Sequence, residues 1–222
     1  MDKDVKYIVG IDEVGRGPIA GPVAVCSFLI KNKSFLENQK EKKLPKLKDS
    51  KKLSKKQREV WFEHLKVAKT EGFCDYSVSF VSSENIDKFG INKCIQKALN
   101  ESLEKVTSPQ ILFERSSDEG GRGARPFQKE FEASFNVYLD GGLHAPKEYE
   151  NQETIIKGDE LYPVISCASI MAKVMRDRVM ENFAKKYPEY GFENHVGYGT
   201  KAHYDAIKKH GQTPIHRNTF IH

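Results

Sequence analysis

Residues 7–25 read YIVGIDEVGRGPIAGPVAV, and this stretch decides the fold. Two apolar runs, rich in valine and isoleucine, lie on either side of a short polar centre. Such runs, separated by turn residues, are typical of neighbouring β-strands. We therefore predict a first strand over residues 5–11 and a second over residues 22–30, with the polar centre between them.

The polar centre combines two features that a plain turn does not need. Asp12 and Glu13 are adjacent carboxylates after the first predicted strand, and the triplet Gly15-Arg16-Gly17 follows closely. Glycines let a backbone approach a ligand and expose its amides, and an arginine can bind a phosphate through two parallel hydrogen bonds. The plainer interpretation stays open at this point, namely solvated carboxylates beside a tight turn with a surface arginine.

The composition bounds the class of protein. The chain has 222 residues, 38% hydrophobic and 30% charged, which suits one sizeable core with room for a small appended subdomain. A net charge of +5 permits a nucleic-acid partner without requiring one. The four cysteines form no C-x-x-C pair, so they indicate neither a zinc site nor a disulfide framework. A signal peptide and apolar runs of membrane-spanning length are absent from the sequence, and we expect a cytoplasmic protein that does not contact membranes.

The rest of the pattern predicts an α/β fold with a mixed sheet. Further strands are expected over residues 74–82, 135–142 and 153–160. Helices are expected after a capping box at Ser54 to Gln57, as a pair over 82–106, over 165–187, and over 200–209. Strands come first and helices alternate with them later, which favours an α/β domain.

Three of the predicted strands end in an acid. Asp12 and Glu13 follow the first strand, Asp140 follows a later one, and Asp159 follows the last. Ligands collect at strand ends in open α/β sheets, so these carboxylates would converge if the strands are neighbours. Clustered carboxylates repel one another unless a cation is bound, so such a cluster is a candidate two-metal phosphodiester site, although spacing alone does not identify it. Because neighbouring strand residues point to opposite faces, Asp12 and Glu13 can share a metal only if the strand twists or ends there.

Several segments, taken in order along the chain, resemble one known family. The matching segments are GIDEVGRGPIAGPV at 10–23, DSKKLS at 49–54, YLDG at 138–141, KGD at 157–159, SCASIMAKVMRD at 166–177, YPEYGFENHVGYGT at 187–200 and TPIHRNTF at 213–220. On these segments the sequence resembles bacterial ribonuclease HII, a type 2 ribonuclease H.

The resemblance implies both a fold and an activity. The expected fold is a ribonuclease H-like mixed β-sheet flanked by helices, with a catalytic domain over residues 1–186 and a small C-terminal helical subdomain over 187–222. The expected activity is endonucleolytic cleavage of RNA in RNA–DNA hybrids, and cleavage 5′ to ribonucleotides embedded in duplex DNA. Mg²⁺ or Mn²⁺ is the implied cofactor, and the protein is expected to act as a monomer.

The resemblance also implies roles for the acids. Asp12, Glu13 and Asp140 would be metal ligands, and Asp159 would be the fourth active-site carboxylate. Asp177 lies in a family motif but well inside a predicted helix, and we expect it to pair with Arg176 or Arg178 or to lie at the surface.

By the same resemblance, three segments bind the substrate. The backbone of Gly15-Arg16-Gly17 would recognise the ribose 2′-hydroxyl, which is what distinguishes RNA from DNA at one position. Tyr198 would stack under the next sugar, and Lys51 would contact a phosphate.

The remaining expectations concern histidines and one insertion. His195, His203 and His216 lack the spacing of a helical zinc pair, so we predict no zinc there. His216 and Arg217 are assigned a contact with the nucleic-acid backbone. Residues 114–132 look like an insertion relative to the family, either a disordered loop, which we favour, or an added basic contact.

Three alternatives compete with this interpretation. Ribonuclease HIII usually carries a longer N-terminal domain and lacks the arginine of the turn, whereas Arg16 is present here. A catalytically silent nucleic-acid-binding protein of the same fold would have lost at least one of the four acids. Another two-metal enzyme, such as an exonuclease or a phosphatase, would not account for the glycine-arginine-glycine turn together with Tyr198.

Overall fold

The structure is a computed structural model that describes residues 6–31, 44–45, 47, 52–108 and 134–222. Its sheet has five strands in the order β3-β2-β1-β4-β5. The strands are β1 (Lys6–Val14), β2 (Val23–Ile30), β3 (Cys74–Val81), β4 (Ser134–Asp140) and β5 (Gln152–Ile155).

The sheet is mixed, as the sequence predicts. β1 pairs antiparallel with β2, and β2 pairs antiparallel with β3. On its other side β1 pairs parallel with β4, which pairs parallel with β5. The parallel register matches Ile11 with Leu139, and this brings the ends of β1 and β4 together.

Helices cover both faces of this sheet. They are α1 (Lys55–Thr70), α2 (Ser83–Phe89), α3 (Ile91–Thr107), α4 (Gly158–Leu161), α5 (Pro163–Lys186), α6 (Phe192–His195) and α7 (Lys201–His210), with 3-10 turns at Pro188–Tyr190 and Asn218–Phe220. The predicted α/β class, the helical pair at α2 and α3, and the last short helix are confirmed.

The alternation of β1 divides the core in two. Val9 and Ile11 are buried against α3 on one face of the sheet. Ile8 and Val14 point to the other face, where α1 and α5 pack. Gly10 lets α5 approach the strand closely, because a Cβ at this position would lie 2.4 Å from the Val164 carbonyl carbon. The start of α5 therefore lies directly against β1.

The start of α1 is fixed locally. The Ser54 hydroxyl accepts a hydrogen bond from the Gln57 amide, and the Gln57 side chain accepts one from the Ser54 amide. This is the capping box that the sequence predicts, and it satisfies two amides that the first helical turn leaves open.

The C-terminal segments form a third apolar cluster around the loop between β1 and β2. Ala20 of that loop packs with Met180 of α5, Phe192 of α6 and Ile215. Backbone bonds join the same parts, since the amides of Ile19 and Ala20 donate to Gly197 at 2.9 and 3.2 Å. The division into domains at residues 186 and 187 stays a prediction.

The two largest differences from the predicted strand ends lie at β1 and β5. β1 continues through both of its acids to Val14, because β2 pairs with it along that length. β5 ends at Ile155, so Asp159 does not end a strand but lies in the single turn of α4. The insertion at 114–132 lies outside the described residues. Within the described ranges, none of the helices has the length and apolar character to cross a membrane.

Candidate active site

Three carboxylates meet at the end of the parallel strand pair. Asp12, Asp140 and Asp159 each offer an oxygen atom, and these oxygens lie within 4.8 Å of one another. Asp12 and Asp159 are buried, and Asp140 is half-buried. Two neighbouring strands and the turn that follows β5 thus bring together acids that are 147 positions apart at most in the chain.

Asp12 reaches the cluster because of its place in β1. It lies on the α5 face of the sheet, two residues after Gly10. Its Oδ1 accepts a hydrogen bond of 2.7 Å from the Glu13 amide. The Ser169 hydroxyl of α5 also bonds the Asp12 carboxylate. The close approach of α5 to β1 therefore fixes the orientation of this acid.

Asp140 and Asp159 are tied together through the backbone. The Gly158 amide donates to Asp140 Oδ1 at 2.7 Å, and the Ser166 hydroxyl donates to the Asp159 carbonyl at 2.6 Å. Lys157 has a left-handed backbone with φ of 57°, which is rare for a residue with a side chain. This turn reverses the chain after β5 and starts α4, so that Asp159 faces the end of β4.

The cluster is electrostatically strained. Burial raises the pKa of Asp12 well above its ordinary value, the bond from Ser169 opposes this shift, and the charges of Glu13, Asp140 and Asp159 add to it. Desolvation and like charges both disfavour an ionised carboxylate. A bound cation would remove both penalties.

The donor set fits a hard divalent cation. Carboxylate oxygens are the ligands that Mg²⁺ and Mn²⁺ prefer, and Mg²⁺ is commonly held by one or two carboxylates together with substrate phosphates and water. The cluster contains three carboxylates and is open enough at Asp140 for a substrate oxygen to approach.

Glu13 lies beside the cluster and outside the group of three oxygens within 4.8 Å. Since β1 is regular here, Glu13 points to the face opposite Asp12. Its Oε1 lies 3.6 Å from Arg16 Nη1, and Arg16 Nη2 donates to Asn92 Oδ1 at 2.7 Å. The structure thus pairs Glu13 with the arginine of the glycine turn.

The glycine turn and Tyr198 adjoin one another. Gly15 has φ of 94°, a conformation that favours glycine, and it is buried, whereas Arg16 and Gly17 are exposed. A Cβ on Gly17 would lie 3.8 Å from Tyr198 Cε1. Tyr198 is 47% exposed, so one part of its ring is available to a ligand.

Arg176 lies under the turn and corrects one prediction. Its side chain is fully buried and donates to the carbonyls of Pro22, Val196 and Ala20 at 2.9, 3.0 and 3.3 Å. Asp177 pairs with neither neighbouring arginine, because helical spacing brings it to Lys173 Nζ at 2.7 Å. Asp177 is also buried, not at the surface.

Arg217 corrects a second prediction. The sequence assigned His216 and Arg217 a contact with nucleic acid, but their exposed fractions are only 2% and 0%. The Arg217 guanidinium instead donates to Gly15, Gly21 and Arg16 carbonyls at 2.7, 2.9 and 3.1 Å. The residue is therefore part of the interior that supports the turn.

The histidines form a chain behind Tyr198, in which His203 and His216 are buried and His195 is half-buried. His203 Nδ1 lies 2.9 Å from the Tyr198 carbonyl, and His203 Nε2 lies 3.1 Å from His216 Nε2. The ring of His195 stacks on that of His203 at 4.4 Å. Burial lowers the pKa of His203 to about 4 against an opposing backbone bond, so the ring is neutral at pH 7.

Sequence reasoning missed four residues that position this site. Ser166 and Ser169 were recognised only as part of a motif, although their spacing of three on one helix face could have indicated a shared target. Arg176 and Arg217 carry no comparable signal, because their acceptors are backbone carbonyls far away in the chain. Lys51, which was assigned a phosphate contact, lies outside the described residues.

Comparison with known proteins agrees with this geometry. The family described as ribonuclease HII matches residues 9–222. A ribonuclease HII of Endomicrobium trichonymphae is 38% identical over 213 residues, which cover 96% of this chain and 84% of the relative. A ribonuclease HII of Clostridioides difficile is 37% identical over 222 residues, which cover 99% of this chain and 72% of the relative.

Among solved structures, the ribonuclease H2 of Pyrococcus horikoshii OT3 superposes with a TM-score of 0.63 at 25% identity. The match covers 96% of this chain and 93% of that one. The sequence motifs, the three converging acids and these matches lead to one conclusion: the chain belongs to the ribonuclease HII family and is a metal-dependent hydrolase of the ribonuclease H type.

Proposed function

We propose that this enzyme cleaves the RNA strand of RNA–DNA hybrids and also cuts 5′ to single ribonucleotides embedded in duplex DNA. One observation carries the proposal. The acid cluster lies at the end of β1, and the glycine turn begins a few residues after Asp12. Tyr198, which is half exposed, lies next to this turn. A site for hydrolysing a phosphodiester thus adjoins a site able to recognise a sugar.

The acids are the groups that would hold the metal. Asp12, Asp140 and Asp159 would bind one divalent cation. Glu13 leaves β1 on the opposite face, so its carboxylate would contribute to a second metal position only if the end of β1 twists towards the cluster. The chemistry that two bound Mg²⁺ or Mn²⁺ ions supply is activation of a water molecule and stabilisation of the leaving oxygen. Within the chain itself, Ser169 and the Gly158 amide orient Asp12 and Asp140 before any substrate is bound.

The turn supplies the preference for a ribonucleotide. Arg16 and Gly17 are exposed residues, so their amides can donate to a ribose 2′-oxygen, which DNA lacks. The exposed Arg16 side chain can bind a phosphate next to the cleaved bond. The Tyr198 ring beside Gly17 can stack on the following sugar, where a flat surface suits a deoxyribose better than a ribose.

The decisive experiment is cleavage of a labelled DNA duplex that carries one ribonucleotide. The controls are an all-DNA duplex, a reaction with EDTA and the Asp12→Asn variant. We expect a cut 5′ to the ribonucleotide that needs Mg²⁺ or Mn²⁺ and is absent from all three controls. Cleavage of a long RNA–DNA hybrid without cleavage of this duplex would support the ribonuclease H activity. It would contradict the proposed cut at single ribonucleotides.

A second experiment addresses Tyr198. Tyr198→Ala removes the ring and should lower activity and weaken the preference for an RNA-to-DNA junction, while Tyr198→Phe keeps the stacking surface and should retain both. The measurement compares cleavage positions within a short RNA segment flanked by DNA. An unchanged junction preference in Tyr198→Ala would exclude the stacking role.

Two further parts of the proposal concern the state of the protein. We propose that it acts as a monomer, since the acid cluster and the turn are both supplied by one chain. We also propose a cytoplasmic location, in keeping with a nucleic-acid substrate. Size-exclusion chromatography of the active protein with light scattering tests the first, and cell fractionation tests the second.

A further inference from the structure

The two buried arginines surround the glycine turn from within the protein. Arg176 and Arg217 have no exposed surface. Between them they donate to five carbonyls of the loop over residues 15–22, and Arg176 also donates to Val196. All six acceptors are backbone carbonyl groups, and Asp177, the acid next to Arg176, pairs with Lys173 instead.

Six such bonds fix the direction of the peptide groups. Arg217 binds the Gly15 carbonyl at 2.7 Å and the Arg16 carbonyl at 3.1 Å. The peptide bonds of the described chain are trans, so each amide points away from the carbonyl of the same peptide group. The amides of Arg16 and Gly17 must therefore point away from the Arg217 guanidinium. Both residues are exposed, so these amides face outward.

The same arginines connect the turn to the Tyr198 segment. Val196 has φ of 44°, a strained conformation for a β-branched residue, and Arg176 Nη1 bonds its carbonyl at 3.0 Å. Strain of this kind persists only where the surroundings enforce it. A Cβ on Gly15 would lie 2.3 Å from Arg176 Nε, so the arginine is also packed against the first glycine of the turn.

We propose that Arg176 and Arg217 are positioning residues for ribonucleotide recognition: they hold the carbonyls of the turn inward, and so present the Arg16 and Gly17 amides, at a fixed distance from Tyr198, to the ribose. The inference rests on the proposed function, because it assigns the turn to sugar recognition. Burial lowers the pKa of Arg176 to about 10 and that of Arg217 to about 9, so both remain charged at pH 7 and add positive potential beneath the turn.

Lysine is the informative replacement. It keeps the charge but concentrates its donors on one nitrogen, so it cannot bind three separate carbonyls in the plane of a guanidinium. We call Arg176 and Arg217 together the arginine clamp. Arg176→Lys and Arg217→Lys therefore separate the geometry of the clamp from its charge. Arg178→Lys is the matched control, because Arg178 lies on the same helix, is partly exposed and pairs with Glu59 and Glu63 at the surface.

The first test measures kcat and KM on the duplex with one ribonucleotide. We expect kcat per folded molecule to fall about 100-fold in both clamp variants, since a misplacement of about 1 Å can cost that much. KM should change less, and the thermal shift induced by Mn²⁺ alone should persist, because the acid cluster is not altered. Arg178→Lys should behave as wild type. Activity that falls only in step with the folded fraction would overturn the proposal.

The second test uses the wild-type protein, so it does not depend on the variants folding. Amide hydrogen exchange is followed at Arg16 and Gly17 in EDTA, with the ribonucleotide duplex or with its all-DNA counterpart. We expect fast exchange in the free protein and in the all-DNA complex, and protection with the ribonucleotide duplex alone. Slow exchange in the free protein would show that these amides point inward and would overturn the proposal. Wild-type cleavage, measured alongside, tests the proposed function separately.

Discussion

The acid cluster and the arginine clamp both bury like charges, and they do so in opposite ways. Asp12, Asp140 and Asp159 face one another, and burial and mutual repulsion raise the pKa of Asp12. Arg176 and Arg217 are equally buried, but six backbone carbonyls surround them and supply hydrogen bonds to the charge.

The difference separates a site that is complete from one that needs a ligand. Carbonyl dipoles compensate the arginines within the protein, so the clamp is a structural element that is satisfied without a ligand. Ser169 and two backbone amides bind the acids, yet burial and the neighbouring charges still raise the pKa of Asp12, so the cluster gains most from a cation. A change at the acids should therefore affect activity more than stability, whereas a change at the clamp should affect both.

The largest effect is expected from Asp12→Asn. The asparagine oxygen can keep the bond from the Glu13 amide, but a ligand charge and a repulsive charge are lost together. We expect cleavage to fall by more than about 100-fold, since even outer groups of a metal site are worth 10- to 100-fold. The free energy of unfolding in EDTA should be unchanged or higher. Cleavage assays and urea denaturation measure the two quantities. A variant that is less stable but still active would contradict the claim that the acids serve activity more than stability.

The next effect concerns two glycines of the same turn. Gly15→Ala would place a Cβ 2.3 Å from Arg176 Nε in a backbone with φ of 94°, and we expect a loss of about 1–3 kcal/mol in the free energy of unfolding. Gly17→Ala meets its nearest atom at 3.8 Å and should stay within about 0.5 kcal/mol of wild type. Thermal and urea denaturation measure both. Equal losses would mean that the clamp does not constrain Gly15.

Besides the two arginines, the interior contains the buried histidines His203 and His216. Their lowered pKa values predict how stability changes in acid. Burial lowers the pKa of His203 to about 4 from its ordinary 6.5, and burial also lowers that of His216. The unfolded chain therefore binds more protons between pH 6.5 and 4, so stability is full above pH 6.5 and falls as the pH drops towards 4. The arginines stay charged throughout this window.

His203→Gln should reduce this pH dependence, as measured by urea denaturation at pH 7, 6 and 5. The matched control is His210→Gln, an exposed histidine on the same helix. The control should keep the slope of the wild type. A slope that is unchanged in His203→Gln would mean that another group carries the effect.

A substitution far from the site serves as a reference for a purely structural change. Ser54→Ala removes the hydroxyl of the capping box at the start of α1. The expected cost is about 1 kcal/mol, measured by urea denaturation, with kcat per folded molecule unchanged. A drop in kcat here would show that loss of stability alone impairs the site. The kcat values of the acid and clamp variants would then have to be corrected for their loss of stability before they are compared.

The elements and the acids could be predicted because their signals are local. Apolar runs rich in valine and isoleucine predicted β1 and β2, the Ser54 box predicted the start of α1, and the acids stood out at strand ends. Asp159 joins Asp12 and Asp140 as expected, although it lies in a helical turn and not at a strand end. The turn follows β5 directly and therefore lies at the same edge of the sheet as the strand end.

The partners of the arginines could not be predicted. A backbone carbonyl has the same identity at every position, so a side chain that binds one leaves no pattern in the sequence. The pair Lys173 and Asp177 is different, because its spacing of four is visible in the sequence and could have been preferred over the neighbouring arginines.

The bond between Arg217 and Gly15 also constrains how the molecule folds. Its partners are 202 positions apart, and the pairing of β1 with β4 spans more than 120 positions. Contacts of such sequence separation form late and slowly, because the entropy of closing the chain must be met before they add any stability. During synthesis, the glycine turn emerges long before Arg217 and can reach its final shape only after Arg217 has followed. A growing chain would therefore carry its acids long before it has a formed recognition turn, and the nuclease would mature only once the chain has been made as far as the clamp.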